Sequence, residues 1–245
     1  MRLGIIGFGA FGRLAAKHLS KRMEVVVSSR SDRSKEAKAA DVRQVSIEDA
    51  CKSDIVLLCV PISQIQDVIR QIGPLVHPGT LVMDACSVKV LPCRLMETMV
   101  PKDVEVIGTH PLFGPQSASN GIAGLKVAIC PIRTTRTKWL KDAIKSMGME
   151  ALEMTPKEHD EDMARTQALV HFIAKAVAKM PKPTHDLGLK SYDALMQSSE
   201  MVSHDSQELF IGIETKNPFS KEIRKKFVAE LVRIEAGLEM EAEAE

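Results

Sequence analysis

The first 155 residues alternate short apolar runs with stretches of helical periodicity. The apolar runs are rich in Val, Ile and Leu, as in strands that are buried on both faces of a sheet. We predict strands at Leu3–Ile6, Glu24–Ser28, Ile55–Cys59, Leu81–Ala85, Val104–Ile107 and Lys126–Ile132. The amphipathic stretches between them predict helices at Ala10–Leu19, Ser63–Ile72, Val90–Met99 and Thr137–Met147. This alternation predicts a doubly wound α/β domain with a mostly parallel sheet.

The remainder of the chain shows helical periodicity and no strand pattern. A long helix, Lys157–Met180, is followed by the helix-breaking segment Pro181–Pro183. Further helices are predicted at Lys190–Val202, Ser206–Glu214 and Pro218–Gly237. We therefore divide the chain into an α/β domain, residues 1–154, and an all-helical domain, residues 155–245. Because the helical part is too short to build a large core alone, we expect its helices to interlock with a second copy in a homodimer.

Composition excludes several classes of protein. The 245 residues are 44% hydrophobic with a net charge of +1, so no global basic excess favours nucleic-acid binding. The sequence has no apolar run of the ~18 residues that a membrane-spanning helix needs. Its five cysteines are odd in number and form no CxxC pair, so we expect neither a disulfide framework nor a metal site. The N-terminus lacks secretory features, and we expect a cytoplasmic protein, or an organellar one if a transit peptide has been removed.

A glycine-rich motif follows the first predicted strand directly and opens the first helix. It reads Gly7-Phe8-Gly9-Ala10-Phe11-Gly12, a GxGxxG pattern in the strand–turn–helix context that dinucleotide binding requires. In that context Gly7 permits the tight turn, Gly9 admits a pyrophosphate and Gly12 lets helix and strand pack closely. The helix N-terminus adds free N–H groups for the phosphates. The motif predicts a Rossmann-type dinucleotide-binding domain.

The end of the second strand distinguishes between the two nicotinamide cofactors. NAD sites carry an acid here for the ribose 2′-hydroxyl, whereas this chain has Ser29, Arg30 and Ser31. Hydroxyl donors and a guanidinium suit a 2′-phosphate, so NADP is favoured over NAD. Asp32, slightly later in the loop, is the competing acid. The basic excess of residues 1–150, with 21 basic and 14 acidic side chains, fits a phosphate-bearing ligand.

Polar and turn residues follow three later strands, and we expect them at the carboxyl edge of the sheet where ligands bind. Cys59, Val60 and Pro61 are predicted to border the ribose on the nicotinamide side. Ser87 follows the next strand. His110 lies in a Gly/Pro-rich loop, and histidine has the pKa suited to a base that removes a hydroxyl proton. In the same loop, Thr109 and Gln116 are predicted to contact substrate.

The long predicted helix carries a second set of polar residues. Asp160, Gln167 and His171 lie close to one stripe of a regular helix, whereas His159 lies off that stripe. Such a stripe on an apolar helix suits a polar cavity, although it also fits a face turned to solvent or to an interface.

Together these segments resemble the prephenate/arogenate dehydrogenases of tyrosine biosynthesis. The resemblance spans most of residues 1–172. It rests on GIIGFGAFG (Gly4–Gly12), CVP (Cys59–Pro61), DACSVK (Asp84–Lys89), GTHPLFGP (Gly108–Pro115) and EHDEDMARTQALVHF (Glu158–Phe172). Residues 28–32 resemble the NADP-using, arogenate-type members, and residues 190–237 resemble the helical dimerisation region more loosely.

The resemblance implies a reaction and roles for four residues. His110 would be the base on the ring hydroxyl, and Ser87 would orient either His110 or that hydroxyl. Gln167 and His171 would line the substrate site. The reaction would be the oxidative decarboxylation of arogenate or prephenate. Many prephenate-type members hold a substrate carboxylate with an arginine in the C-terminal half, but residues 183–220 contain none. This departure favours arogenate, whose ammonium group would then meet an acidic side chain.

Two alternatives remain open at the level of sequence. Another reductase of the same domain plan, such as a 3-hydroxyacid dehydrogenase or an imine reductase, would use a lysine on the long helix or a different strand-end motif. Lys175 and Lys179 lie on that helix. A non-catalytic NADP-binding sensor would keep the glycine loop and would need neither Ser87 nor His110.

Overall fold

The computed structural model describes residues 1–185, 187–203 and 205–243. The chain forms two compact units, Met1–His159 and Asp160–Glu245. The boundary between them in the sequence falls within a helix, a few residues after the predicted boundary.

The first unit is built on one eight-stranded sheet. Its strands are β1 (Arg2–Ile6), β2 (Glu24–Ser28), β3 (Arg43–Gln44), β4 (Ile55–Leu58), β5 (Leu81–Asp84), β6 (Glu105–Pro111), β7 (Lys126–Arg133) and β8 (Glu150–Glu153). Their order is β3-β2-β1-β4-β5-β6-β7-β8, and every pair is parallel except β6 with β7. The helices are α1 (Ala10–Leu19), α2 (Ser34–Ala39), α3 (Ile47–Cys51), α4 (Ile65–Ile72), α5 (Val90–Met99) and α6 (Thr137–Ser146). The predicted α/β class is confirmed.

The sheet buries both of its faces because its central strands are apolar at nearly every position. On β4, Ile55 and Leu57 belong to one hydrophobic cluster, whereas Val56 and Leu58 belong to the other. The first cluster includes residues of α1 and α6, and the second includes residues of α3, α4 and α5. This arrangement explains why the strands read as continuous apolar runs rather than alternating ones.

The register of the central strands forms a level carboxyl edge. Ile6 is paired with Leu58, Leu58 with Asp84, and Asp84 with Gly108. β6 alone continues past that level, to Pro111, because β7 pairs with it on its other side. The predicted strand Val104–Ile107 is therefore too short, and His110 lies within β6 rather than in a loop.

The second unit is helical, as predicted. The predicted long helix Lys157–Met180 is instead α7 (Pro156–Met163), a π-helical segment (Ala164–Ala168) and α8 (Leu169–Val177), and it is followed by α9 (Lys190–Ser203), α10 (Gln207–Lys216) and α11 (Ser220–Glu243). Phe172 on α8 packs edge-on against Phe227 on α11, with ring centroids 6.5 Å apart. Within the described residues, no helix is both long enough and apolar enough to cross a bilayer.

The π-helical segment changes the predicted polar stripe. A π turn inserts an additional residue into the helix, so residues after it are rotated relative to those before it. Asp160 precedes the segment, Gln167 lies in it and His171 follows it. These three side chains therefore do not form one stripe on a regular helix.

Candidate active site

The glycine turn sits at the carboxyl edge of the sheet, held by the strands on both sides. The Gly7 N–H donates to Ser28 O of β2 (2.9 Å), and Cys59 N–H donates to Ile6 O (2.7 Å). Gly7 has φ +99°, and a Cβ there would lie 2.8 Å from Val60 Cγ1. A Cβ on Gly12 would collide with Gly7 O. A side chain at either position would therefore collide with backbone or side-chain atoms of this turn.

Unlike Gly7 and Gly12, Gly9 borders open space, and this space shows whether the turn has room for a dinucleotide. A Cβ built on Gly9 would meet nothing within 4 Å. No side chain of the described residues caps α1, whose N-cap residue is Gly9. Open space therefore lies beside backbone N–H groups that have no side-chain cap, which is the cradle a pyrophosphate fills. These residues fit a dinucleotide cofactor.

The loop after β2 leaves one arginine without an ion-pair partner. Asp32 Oδ1 accepts a hydrogen bond from Ser34 N (2.9 Å), which lowers the pKa of that carboxyl, and Arg33 pairs with Glu36 at 2.9 Å. Arg30 is exposed and forms no ion pair or hydrogen bond with the described residues. The side chain of Gln44 on β3 pins the loop by donating to Ser31 O (3.0 Å). Arg30 is thus the cation in this loop that is available to a ligand.

The turn after β4 borders the glycine loop through its backbone. Cys59 and Val60 are the residues against which a Gly7 side chain would collide. The thiol of Cys86, in the turn after β5, lies 3.9 Å from Val60 O. Burial, with a smaller contribution from Asp84, raises the pKa of the Cys59 thiol. Cys59 is therefore a neutral packing group, and Cys59, Val60 and Pro61 contribute shape rather than charge.

The catalytic candidate His110 is paired with a second histidine. His110 Nδ1 lies 2.9 Å from His159 Nε2, and the rings meet edge-on at a 70° angle. Both side chains are buried, with exposed fractions of 4% and 0%. Nε2 of His110 has no hydrogen-bond partner among the described residues. One ring nitrogen of His110 is thus held by protein and the other remains available.

The surroundings keep His110 uncharged. Burial lowers the pKa of His110 well below its ordinary value, and the nearby His159 and Lys89 act in the same direction. We assign the tautomer in which His110 Nδ1–H donates to His159 Nε2, because that arrangement leaves His110 Nε2 with a lone pair. A neutral histidine with this tautomer can accept a proton at Nε2.

The peptide next to His110 is fixed by a buried ion pair. Lys89 Nζ contacts the carboxylate of Asp84 and also donates to Thr109 O at 2.6 Å. Asp84 Oδ1 accepts from Thr109 N (3.2 Å), and the Thr109 hydroxyl donates to Asp84 O. The Thr109 hydroxyl, which the sequence suggested for substrate, is engaged in holding this strand end.

Two other predicted site residues of the first unit, Ser87 and Gln116, have no described contact with His110. Ser87 is half-buried in the turn after β5, at the same sheet edge, and the described contact of His110 is with His159 rather than with Ser87. Gln116 is exposed in the turn after β6. Their roles stay predictions. Helical periodicity did not group His159 with the predicted site residues, because it lies off their stripe. In the structure His159 is nevertheless the residue that contacts His110.

In the second unit, His171 forms its own polar contact. His171 Nε2 lies 3.5 Å from Asp205 Oδ2, with exposed fractions of 4% and 28% for the two side chains. Burial lowers the pKa of His171, and Lys175 adds to this, whereas Asp205 opposes it. Gln167 Oε1 is buried and has no hydrogen-bond partner among the described residues. Asp205 is a carboxylate that the sequence did not single out.

Fold and glycine loop together place the first unit among the Rossmann-type dinucleotide-binding domains. A sequence model of the family described as prephenate dehydrogenase, nucleotide-binding domain, matches residues 15–151, more than half of the chain. The chain belongs to the prephenate dehydrogenase family.

Individual relatives agree with this assignment. The chain is 28% identical over 239 residues to arogenate dehydrogenase 1, chloroplastic, of Arabidopsis thaliana, covering 93% of this chain and 37% of that protein. It is 29% identical over 230 residues to arogenate dehydrogenase 2, chloroplastic, of the same plant, covering 89% and 64%. The chain thus spans between 37% and 64% of the length of these two curated relatives.

A solved structure shows the same fold. The prephenate dehydrogenase from A. aeolicus, in complex with hydroxyphenyl propionate and NAD+, superimposes with a TM-score of 0.78. The match covers 99% of this chain and 92% of that one at 21% sequence identity, so it bears on the fold alone.

Proposed function

We propose that this chain catalyses the NADP-dependent oxidative decarboxylation of arogenate, with prephenate as the alternative substrate. The observation that carries the proposal is the buried His110–His159 pair at the sheet edge, with His110 Nδ1 bonded and Nε2 available. Family membership supplies the reaction class, since the related Arabidopsis proteins are named arogenate dehydrogenases.

His110 is the proton acceptor in this reaction. When bound, the nicotinamide would supply the acceptor for the hydride that leaves the carbinol carbon of the ring. His110 Nε2 takes the hydroxyl proton, and the ring carboxylate then leaves as CO2. Its bonding electrons complete the aromatic ring, the carbonyl electrons move to the ring oxygen, and that oxygen regains a proton to give the phenol. Because aromatisation provides much of the driving force, the protein mainly positions the ring and the base.

His159 is a positioning residue for this base. By accepting Nδ1–H it fixes both the tautomer and the ring orientation of His110, the role that a carboxylate has in other histidine-based sites. Ser87 remains the residue proposed to contact the substrate hydroxyl.

The preference for arogenate rests on Asp205. The sequence predicts that His171 and Gln167 bind substrate, and the carboxylate beside His171 is that of Asp205. Because burial lowers the pKa of His171, the imidazole in this contact offers the Asp205 carboxylate no formal cation near neutral pH. A partly exposed carboxylate suits the ammonium group of arogenate, which prephenate lacks.

NADP is proposed as the cofactor because Arg30 is the unengaged cation in the loop after β2. Changing Arg30→Ala should weaken NADP binding about 10- to 100-fold, the scale of a charge-assisted bidentate contact, and should leave NAD binding nearly unchanged. Binding of both cofactors is measured by fluorescence titration. Arg33→Ala is the matched control, because Arg33 is already paired with Glu36. An equal loss for both cofactors in Arg30→Ala would contradict the 2′-phosphate assignment.

A homodimer through the second unit is proposed from the exposed apolar side chains of α11. Leu231, Ile234 and Leu238 are spaced as one helical stripe and have exposed fractions of 49%, 58% and 59%. Light scattering after size-exclusion chromatography should give twice the chain mass of 26.9 kDa. The double change Leu231→Glu/Leu238→Glu should yield a monomer, whereas Lys226→Glu, on another side of α11, should not. A wild-type monomer at micromolar concentration would refute the dimer.

The decisive test of the proposed function is an assay at 340 nm with the purified chain. It crosses arogenate and prephenate with NADP and NAD. Turnover fastest with arogenate and NADP supports the proposal in full. Silence in all four reactions, with NADP binding still measurable, would contradict the activity and favour a non-catalytic sensor. Of the two lysines that a lysine-based reductase would use, Lys175 already contacts protein, with Nζ 5.3 Å from the ring centroid of Phe210 in the second unit.

A further inference from the structure

The buried Asp84–Lys89 pair has no part in the proposed chemistry, yet both side chains are completely buried. Taking two charges out of water is costly, and replacing such a pair with neutral groups of similar size is often neutral or even stabilising. Stability alone is therefore a weak reason for this pair. Its position beside the catalytic candidate suggests another role.

The strand ladder explains what the pair does. β5 and β6 are paired only as far as Asp84 and Gly108, so from Thr109 onward β6 has no strand beside it on the β5 side. Beyond that point, the side chains of Asp84 and Lys89 form the hydrogen bonds to β6 that a neighbouring strand would otherwise form. Their side chains bond the N–H and the C=O of Thr109, and the Thr109 hydroxyl bonds back to the Asp84 carbonyl.

The buried pair is bonded to the peptide that directly precedes the His110 side chain. Thr109 O, the acceptor of Lys89 Nζ, belongs to the peptide bond that joins Thr109 to His110. Gly108 leaves room for this contact, because a Cβ there would collide with Cys93 Sγ and lie 3.5 Å from Lys89 Cδ. Opposite His110 on β7 lies Ala128, which brings no polar group.

We propose that the buried Asp84–Lys89 pair is a positioning device that fixes the Thr109–His110 peptide beyond the end of the β5–β6 ladder and thereby orients the His110 imidazole. This proposal rests on the proposed function only in naming His110 as the base. The pair acts through His110 and touches no reacting atom.

The charges of the pair also act on His110. Among the described residues, the titratable groups that face this region include His159 from α7, Cys93 from α5, Cys86 from the turn after β5, and Asp84 and Lys89 themselves. Burial alone would lower the pKa of Lys89, but the adjacent Asp84 raises it above its ordinary value, so Lys89 stays a cation. That cation is one of the causes that lower the pKa of His110.

The main test uses the double variant Asp84→Asn/Lys89→Met, which removes both charges and keeps an acceptor at position 84. It should fold, and kcat should fall about 10- to 100-fold, the scale of a misplaced catalytic group, with unchanged NADP affinity. The matched control is Lys138→Met, an exposed lysine paired with Asp142 on α6, which should behave as wild type. A folded double variant with wild-type kcat would overturn the proposal.

A second readout does not depend on turnover. NMR titration of the labelled His110 ring reports its protonation directly, whether or not the chain oxidises arogenate. In Lys89→Met the pKa of His110 should rise, because a cation that lowers it is gone. In the double variant the pKa of His110 should lie between its values in the wild type and in Lys89→Met. Since the base must be neutral, the acid limb of kcat/KM should move to higher pH in the same order. An unmoved His110 titration in the folded variants would contradict the proposal even if the wild type is inactive.

Discussion

Replacing His110 with asparagine is expected to lower kcat by at least about 10²-fold, the scale of general base catalysis, while NADP still binds. Asparagine is similar in shape to part of the imidazole and can still donate toward His159, but it has no nitrogen that accepts a proton near neutral pH. The glycine loop is formed by backbone contacts with β2 and β4, so the cofactor site does not depend on the His110 side chain.

The experiment compares His110→Asn with His77→Asn, whose parent side chain is exposed. Turnover is measured at 340 nm, and cofactor binding is measured separately by fluorescence titration. His77→Asn should match the wild type in both measurements. If His110→Asn retained wild-type kcat, the proton would have to be taken by another group, and His159 would then be the first residue to test.

The sheet could be predicted because its signals are local. Each central strand is a continuous apolar run, and the glycine turn follows β1 directly, so sequence alone located both. β3 and β8 escaped prediction because neither is an apolar run. β3 spans Arg43–Gln44, and β8 has the sequence Glu-Ala-Leu-Glu and an incompletely buried pattern.

His110 shows where local signals mislead. Glycine and proline around it indicate a loop, but antiparallel pairing with β7 keeps this segment in strand as far as Pro111. That pairing is set by a partner elsewhere in the chain, which no window of sequence around His110 contains. The consequence is functional, because a strand end holds the imidazole more rigidly than a loop would.

His159 and Asp205 were missed for a related reason. Helical periodicity groups side chains that share one face of a regular helix, and His159 falls outside that group. Its importance arises from β6, which is distant in sequence, just as the contact of Asp205 with His171 joins separate segments of the second unit. The π-helical segment adds a further change of face that a regular period does not anticipate.

The contact between His171 and Asp205 leads to the prediction with the most direct bearing on substrate choice. Asp205→Asn should lower kcat/KM for arogenate by about 10²-fold, near the lower end of the ~2–5 kcal/mol cost of truncating one partner of a charge pair, because bound substrate would cover this partly exposed carboxylate. For prephenate, which has no ammonium group, removing the carboxylate also removes a repulsion against its acidic side chain. The kcat/KM for prephenate should therefore stay level or rise. The preference for arogenate over prephenate should then become smaller or reverse.

Both substrates are assayed with NADP, and Asp193→Asn on α9, whose parent side chain is exposed, serves as the control. A change confined to kcat/KM, with the circular dichroism spectrum unaltered, separates recognition from folding. Equal losses for arogenate and prephenate would mean that Asp205 acts only by supporting His171, and the ammonium contact would have to be sought elsewhere. A loss restricted to arogenate would identify a single carboxylate as the group that distinguishes the two substrates, in a chain whose residues 183–220 offer no arginine for the competing carboxylate.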